Sequence, residues 1–170
     1  MTSIIKVDQI QNAAGVGGLT IDSNGVVATP ARPAFNLYRD SSVTEALNGT
    51  IIFNGVKSNI GSHYDTSTGL FTAPIAGLYQ FNFVGMACSS SASSLPANNS
   101  VYVTLNNQTT SQNLSRSYVQ ITSSVSYPNM SFSCAVPLAA SDQVYITVGG
   151  AYVYSDASDL YLTFSGYLVG

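Results

Sequence analysis

Residues 53–83 read FNGVKSNIGSHYDTSTGLFTAPIAGLYQFNF, a segment in which aromatic residues, asparagine and glycine recur at fixed intervals. The positions that carry the pattern are Phe53, Asn59, Tyr64, Phe71, Gly77, Tyr79, Phe81 and Phe83. The last three aromatic residues alternate with polar residues, and a period of two is the period of a β-strand. The segment therefore predicts strands built around a shared aromatic core, and none of its patterned positions is a reactive group.

The clearest predicted strand is Leu78–Ala87. Successive side chains of a strand face opposite sides, so the odd-numbered positions form one face and the even-numbered positions the other. The odd face is the better core candidate, and its members are Tyr79, Phe81, Phe83 and Gly85. The opposite face carries Leu78, Gln80, Asn82 and Val84.

The rest of the chain shows the same period of two, interrupted by clusters of Gly, Pro, Asn and Ser. Helical spacing is nearly absent, so the sequence predicts an all-β protein. Two boundaries depend on glycine: Asn48-Gly49 predicts a turn before a strand, and Gly149-Gly150 predicts the end of one. The other predicted strands are Ala34–Tyr38, Thr50–Phe53, Gly69–Thr72, Val101–Leu105, Tyr118–Ile121, Met130–Val136, Gln143–Val148 and Leu160–Val169.

The first thirty residues differ from the rest of the chain. A glycine-rich stretch over residues 15–18 follows a short β-prone patch at Ile4, Ile5, Val7 and Ile10. Asn24-Gly25 lies between two β-prone runs and predicts a hairpin, and the two prolines that follow it predict an extended linker. We expect residues 1–31 to form an arm that needs another chain to become ordered, and residues 32–170 to form a head.

The composition bounds the class of protein. Charged residues make up 8% of the chain, against about 25% in an ordinary soluble domain, so uncharged polar residues must cover the surface. The net charge of −3 argues against nucleic acid and against an anionic membrane surface, which both require basic patches. We expect no membrane insertion, and the N-terminus has no apolar run typical of a secretion signal. Cys88 and Cys134 are interpreted as buried free thiols, with a disulfide pair as the alternative.

The spacing from Phe53 to Phe83 resembles the signature of the C1q domain family, the globular heads of complement C1q and its relatives. The closing residues 164–168, FSGYL, resemble the last strand of that family, and residues 142–145, DQVY, resemble the start of the strand two before it. The resemblance covers residues 31–170 and implies a ten-stranded jelly-roll sandwich like that of the tumour necrosis factor family. Both families associate as tight homotrimers.

The same resemblance implies where the subunits would meet. In relatives, the aromatic residue two positions before the closing glycine lies at the threefold axis, which corresponds to Phe164 in this chain. Tyr167 and Tyr145 are further candidates for the trimer interface. The competing interpretation makes Phe164 ordinary core of one sandwich, because a shift of one residue reverses the facing of a strand.

The arm has a resemblance of its own. Residues 5–8, IKVD, residues 10–12, IQN, and the turn at residues 22–25, DSNG, resemble the opening of marine bacteriophage virion proteins of the cyanophage type. This implies a virion structural protein, namely a trimeric short fibre or a decoration protein of capsid or tail, assembled in the host cytoplasm. Its partners would be itself, other virion proteins through residues 1–31, and a host surface glycan. The alternative is a free C1q-like recognition module that binds glycans or proteins.

Patterns for catalysis and metal binding are poorly represented, and we expect no enzyme, no cofactor and no metal site. His63 is the one histidine, and Asp65 could orient it as a general base. A structural or turn role is favoured, because His63 lies inside the aromatic pattern. Asp156 and Asp159 could ligate calcium, although solvated turn acids are the simpler interpretation.

Tyrosine is the unusual residue, with eleven copies and no tryptophan in the chain. Tyrosine rings on exposed loops stack on sugar rings and donate hydrogen bonds, which would suit glycan binding. The alternative is that tyrosines fill strand faces and the trimer interface, since strands favour tyrosine. The ligand-contact candidates in or near loops are Tyr118, Tyr127, Tyr152 and Tyr154.

Overall fold

The computed structural model of the protein describes residues 7–15, 17–29, 32–41, 45–156 and 160–169. The chain divides into two compact units, Met1–Arg32 and Pro33–Gly170, which we call the arm unit and the head unit. Several residues of the sequence predictions lie outside the described residues, namely Ile4 and Ile5 of the β-prone patch, Ala31 of the linker and Asp159 of the calcium pair.

The arm unit is a small antiparallel sheet of strands β1 (Gln9–Gln11), β2 (Gly17–Ile21) and β3 (Val27–Ala28). The predicted hairpin joins β2 to β3. The Asp22 carboxylate accepts the backbone N–H groups of Val26 and Asn24, each at 2.8 Å, and Gly25 takes φ +81°. The hydrogen bond from Val26, followed by weaker ones, lowers the pKa of the Asp22 carboxyl. None of the described residues of this unit is buried.

The described part of the head unit contains eleven strands and no helix. The strands are β4 (Ala34–Tyr38), β5 (Glu45–Ile51), β6 (Gly55–Ile60), β7 (Tyr64–Asp65), β8 (Leu70–Thr72), β9 (Gly77–Cys88), β10 (Ser100–Asn107), β11 (Gln112–Gln120), β12 (Asn129–Leu138), β13 (Gln143–Ser155) and β14 (Thr163–Leu168). Nowhere in the described ranges does a helix have the length and hydropathy needed to cross a membrane.

These strands form two antiparallel layers. Layer one has the order β12-β9-β14-β4-β6. Layer two has the order β11-β10-β13, with β5 and β8 on the other side of β13 and β7 paired to β8. Strand β9 joins the layers at one corner, because Ala87 and Cys88 pair with Val153 and Tyr152 of β13. The all-β jelly-roll sandwich expected from the sequence is confirmed.

The patterned aromatic residues fill the space between the two layers. The predicted facing of β9 is confirmed, since Leu78 and Val84 are 40% and 52% exposed while the odd positions are buried. Burial of each such ring stabilises the fold by roughly 1.5–3 kcal/mol. The patterned rings with 3% exposure or less are Phe53, Tyr64, Phe71, Tyr79, Phe81 and Phe83.

Two predictions based on glycine are wrong. Asn48-Gly49 forms no turn before a strand, because both residues lie inside β5, where Gly49 takes φ +77°. Gly149-Gly150 does not end a strand either, since β13 continues to Ser155 with Gly150 at φ +82°. The pairing of β5 with β13 shifts register between Val148 and Val153 and then continues. Glycine at positive φ has kinked the paired strands as a bulge does, without terminating them.

Candidate functional site

The signature residues form a structural framework, and their polar groups are used within it. The Asn59 side chain donates from Nδ2 to the Tyr64 carbonyl at 2.8 Å and accepts the Tyr64 backbone N–H at 3.2 Å. The Tyr64 hydroxyl accepts the backbone N–H of Phe53 at 3.1 Å. Burial raises the pKa of Tyr64 to about 12. The spacing of Phe53, Asn59 and Tyr64 is thus explained by local hydrogen bonds rather than by chemistry on a ligand.

His63 lies in the connection between β6 and β7, and Asp65 is the last residue of β7. The Asp65 carboxylate accepts the Ser67 hydroxyl at 2.6 Å and the Ser67 backbone N–H at 2.8 Å, and these bonds lower the pKa of Asp65. The His63 carbonyl accepts the backbone N–H of Thr72 at 2.8 Å. The observed contacts of Asp65 are those of a residue that begins a turn, and the structural role of His63 stays a prediction.

The two cysteines are free thiols in the structure, so the interpretation as a disulfide is wrong. Cys134 of β12 lies opposite Phe81 of β9, seven positions before Cys88. Seven residues of strand span roughly 23 Å, far beyond the reach of a disulfide. Burial raises the pKa of the Cys88 thiol to about 11 and also raises that of Cys134, which leaves neither thiol activated.

The outer face of layer one is the first candidate surface. Strands β12, β9, β14 and β4, all fully described, contain no Asp, Glu, Lys, Arg or His. Gln80 and Ser133 both donate to the Asn82 Oδ1, at 3.3 and 2.8 Å, so the amides and hydroxyls of this face bond to one another. Apolar side chains stand beside them, including Leu78 and Val84. Across these four strands the face is broad, uncharged and partly apolar, and Lys57 lies on the edge strand β6.

The three candidates for the trimer interface do not lie together. Tyr167 of β14 is on the outer face of layer one and is 48% exposed. Phe164 points the other way, is 1% exposed, and packs against Phe35 and Phe53 with ring centroids 5.0 and 5.4 Å apart. Tyr145 is half-buried on β13 in layer two. The position of Phe164 matches the alternative interpretation, that of core within one sandwich.

A cluster of tyrosines at one end of the head is the second candidate surface. The rings of Tyr127 and Tyr154 meet at 4.9 Å, and those of Tyr154 and Tyr161 at 5.5 Å, both edge to face. The Tyr127 hydroxyl donates to the Ala92 carbonyl at 3.0 Å, and the Tyr154 hydroxyl to Asp156 Oδ2 at 2.8 Å. All three rings are half-buried. We call Tyr127, Tyr154 and Tyr161 the tyrosine cluster.

The backbone of the tyrosine cluster is under local strain. Tyr127 takes φ +48°, in the left-handed region that aromatic side chains rarely occupy. Such a conformation costs about 1–3 kcal/mol and concentrates at functional positions. The sequence identifies Tyr127 and Tyr154 as candidates but not Tyr161. The contacts among the three rings connect distant segments, and no spacing pattern indicates them.

The other two ligand-contact candidates are elsewhere. Tyr118 is 57% exposed on β11, opposite Tyr102 of β10, and its hydroxyl donates to Gln120. Tyr152 is half-buried and lines a cleft of about 200 Å³ with Ser89 and Pro96 among its neighbours. Four candidates therefore fall on three surfaces.

Only one of the two acids of the calcium hypothesis lies among the described residues. Asp156 follows β13 and accepts the Tyr154 hydroxyl, while Asp159 lies outside the described residues. Within the part of the chain that is described, no three His, Cys, Asp or Glu side chains are grouped as metal ligands.

Comparison with known proteins places this architecture. A family model described as the C1q domain matches residues 34–169. The complement C1q tumor necrosis factor-related protein 3 of Homo sapiens is 30% identical over 122 residues, which cover 72% of this chain and 45% of that relative. The complement C1q tumor necrosis factor-related protein 6 of Mus musculus is 27% identical over 143 residues, or 80% of this chain and 49% of that relative. The chain thus spans about half the length of the curated relatives it matches.

Solved structures share the fold. The globular domain of zebrafish complement 1qA protein has a TM-score of 0.60 at 22% identity, covering 81% of this chain and 98% of that one. The Eiger TNF of S. frugiperda has a TM-score of 0.64 at 10% identity, covering 82% and 94%. At these identities the two similarities show the fold alone. Because the family model matches most of its sequence, this protein belongs to the C1q domain family.

Proposed function

We propose that the head is a homotrimeric recognition and attachment module that assembles through the outer face of layer one and does no catalysis. The observation that carries the proposal is the absence of charge from four adjacent strands, β12, β9, β14 and β4. The centres of protein interfaces are depleted of charged residues and enriched in tyrosine, which matches a face that includes Tyr167. C1q and tumour necrosis factor domains typically form homotrimers, which agrees with this proposal.

The tyrosine cluster supports the recognition part of the proposal. The register of layer one puts Tyr38, Met86, Asn129 and Thr163 at one end of the strands, next to the loops that hold the cluster. The chain enters the head at Pro33, at the opposite end, where Leu168 donates its backbone N–H to the Pro33 carbonyl. The cluster therefore lies on the end of the head remote from the point where the chain enters it.

The setting that we propose is the surface of a bacteriophage particle, with the protein assembled in the host cytoplasm. The arm unit would attach the protein to capsid or tail, and the head would serve as a short fibre or decoration that contacts the host. The support is the arm sequence together with its burial, since none of its described residues is buried. A three-stranded sheet without a core gains stability by docking on a partner.

A free recognition module is the second candidate. It is favoured by the curated relatives, which are complement C1q tumor necrosis factor-related proteins of human and mouse. Mass spectrometry of purified phage particles, compared with the surrounding medium, separates the two settings. The virion proposal requires peptides of this chain in the particles at a fixed stoichiometry, and their absence would eliminate it.

The trimer is tested by native mass measurement of the full chain and of Tyr167→Asp. The wild-type mass should be three times the 17.8 kDa of one chain. The variant should dissociate, because an unpaired carboxylate buried in an interface costs several kcal/mol. Tyr118→Asp is the matched control, since it places the same charge on an exposed tyrosine of layer two and should leave the trimer intact. A monomeric wild type, or a trimeric Tyr167→Asp, would refute the proposed interface.

A further inference from the structure

We propose that a polar cleft on layer two binds a single neutral sugar ring. The cleft lies beside the hairpin that joins β10 to β11 and has a volume of about 260 Å³. Five of its lining side chains are amides and one is a tyrosine, namely Asn106, Asn107, Gln108, Gln112, Asn113 and Tyr145. None of the lining residues is charged. The inference rests on the proposal that the head is a recognition module, and it names a ligand class and a site separate from the tyrosine cluster.

The fold builds the cleft from three neighbouring strands. Asn106 of β10 lies opposite Asn113 of β11 on one side and opposite Tyr145 of β13 on the other. Residues directly opposite in a sheet project to the same face, so two amides and a phenol ring form one row. The register between β10 and β11 shifts just after Leu105, and this bulge widens the hairpin where the cleft forms.

Part of the amide set holds the cleft in shape. Asn107 is 3% exposed, donates from Nδ2 to the carboxylate of Asp142 at 3.0 Å, and accepts the Thr110 backbone N–H at 3.1 Å. Asn106 donates to the Thr147 hydroxyl at 2.9 Å and to the Thr104 carbonyl at 3.1 Å. No described residue donates to the Asn106 Oδ1, which is therefore available to accept from a ligand. The floor of the cleft is therefore fixed before anything binds, which lowers the entropic cost of binding.

The remaining polar groups are available. Gln108, Gln112 and Asn113 are exposed, and within the described part of the chain their side-chain amides hold no hydrogen bond. The Tyr145 hydroxyl is likewise unengaged by any described residue. Each amide presents both a donor and an acceptor on one planar group. Adjacent hydroxyls of a sugar offer the same pair in return, and the C–H face of the ring can lie against the tyrosine.

The lining excludes other ligand classes. A phosphate or carboxylate ligand would need a cation to offset its desolvation, and a cationic ligand would need a carboxylate. Lipids and apolar peptides need an apolar wall, whereas the Tyr145 ring is the one large apolar surface among the lining residues. The volume lies a little below the range of about 300–1,000 Å³ that holds drug-sized ligands, which suits one ring and not an oligosaccharide.

The cleft lies on the layer away from the proposed interface, at the end of the head where the chain enters it. Layer two carries the cleft and layer one carries the proposed interface, so three clefts would remain open in a trimer. A single ring held by a few hydrogen bonds binds weakly, and three linked sites raise the effective affinity for a surface that displays many copies of the sugar.

The test is an NMR titration of the full chain with the methyl glycosides of glucose, galactose, mannose and N-acetylglucosamine. We expect saturable binding of at least one of them, with the signals of the cleft shifting. Gln112→Ala and Asn113→Ala should each weaken that binding by about 5–10-fold, the usual effect of one lost hydrogen bond. Gln120→Ala is the matched control, because it removes an exposed amide of the same strand outside the cleft and should change the affinity less than twofold.

Three results would overturn the proposal. They are no binding of any neutral glycoside at 50 mM (a concentration of roughly the order that weak single-ring sites require), equal affinity of the wild type and both cleft variants, and tighter binding of sialic or glucuronic acid than of the neutral sugars. Native mass measurement of the same samples separates this inference from the proposed function. A monomer that binds sugar refutes the trimer and keeps the cleft, while a trimer that binds none refutes the cleft alone.

Discussion

The head holds two clusters of aromatic rings that differ in exposure. In the core, Phe35, Phe53 and Phe81 surround Phe164 with centroids 5.0 to 5.9 Å apart, and all four rings are 3% exposed or less. In the tyrosine cluster the spacings are 4.9 and 5.5 Å, but the rings are half-buried. Similar ring contacts therefore serve two different purposes. The core gains its energy from removal of surface from water, while the tyrosine cluster keeps an amphipathic surface in reach of solvent.

The largest expected effect separates the two clusters directly. Phe81→Ala should lower the free energy of unfolding by about 3–5 kcal/mol, because it leaves a cavity in a sealed core. Tyr161→Ala should cost less than half as much, since its site can relax towards solvent. Urea denaturation of both variants measures the difference. Equal losses would mean that the tyrosine cluster is core, and the comparison would fail.

The next effect concerns Tyr64, a tyrosine that belongs to the sealed core. Burial raises its pKa from 10.0 to about 12, so above pH 10 the unfolded chain ionises first and the folded state loses stability. The loss should develop between pH 10 and 12 and reach roughly 2–3 kcal/mol, while below pH 10 this contribution is fully present.

The measurement compares Cys88→Ala with Cys88→Ala/Tyr64→Phe by urea denaturation from pH 8 to 12. Burial also raises the pKa of the Cys88 thiol, to about 11, and removing it simplifies both profiles. Burial raises the pKa of Cys134 and Tyr79 as well, but their losses are common to both variants and cancel in the difference. Below pH 10 the double variant should be less stable, having lost the bond to the Phe53 N–H. The gap should close as the pH approaches 12. If the free energies of unfolding of the two variants fell in parallel as the pH rises, the burial of the Tyr64 phenol would be contradicted.

A third effect tests how tightly the core is filled. A Cβ on Gly166 would lie 2.7 Å from a Phe81 ring carbon and 2.8 Å from Phe35. Gly166→Ala should therefore destabilise the head by about 1–3 kcal/mol through overpacking. Ser165→Ala, one position along on the outward face, is the matched control and should stay within about 0.5 kcal/mol of the wild type. If Gly166→Ala left the free energy of unfolding unchanged, the core would have more room around Gly166 than these distances indicate.

The smallest effect concerns the hydroxyls of the tyrosine cluster. Tyr154→Phe removes the bond to Asp156 and Tyr127→Phe the bond to the Ala92 carbonyl. Each should lower the free energy of unfolding by about 0.5–1.5 kcal/mol, because the partners can turn to water. Thermal unfolding should record a fall of a few degrees. A loss as large as that of Phe81→Ala would remove the distinction between the clusters.

The sequence predicted those parts of the fold that local pattern controls. The facing of Tyr79 and Phe81 follows from alternation, and the turn before Val26 follows from Asn24-Gly25. Strand β6 was missed because residues 55–60 are mostly polar and exposed, so no apolar period marks them. The glycines at 49 and 150 were misjudged because positive φ suits a turn and a bulge equally, and only the partner strand decides between them.

The candidate sites were harder to predict than the fold. The family resemblance indicates Phe164, but that ring is buried, whereas Tyr167, three positions along β14 and on its opposite face, is exposed. The tyrosine cluster and the amide cleft each unite residues far apart in sequence, such as Tyr127 with Tyr154 or Asn113 with Tyr145. Such groupings depend on strand order and register, which periodicity within one segment does not contain.

The uncharged face of layer one has a consequence for the conditions that the protein can withstand. Strands β12, β9, β14 and β4 hold no carboxylate, ammonium, guanidinium or imidazole group. A contact made there involves no charges that salt could screen, and molar salt would strengthen its apolar part. Nothing on those strands changes charge between about pH 5 and pH 8, where histidines and perturbed carboxylates act as switches. A complex built on this face would withstand acidification between those pH values, and added salt would not weaken it.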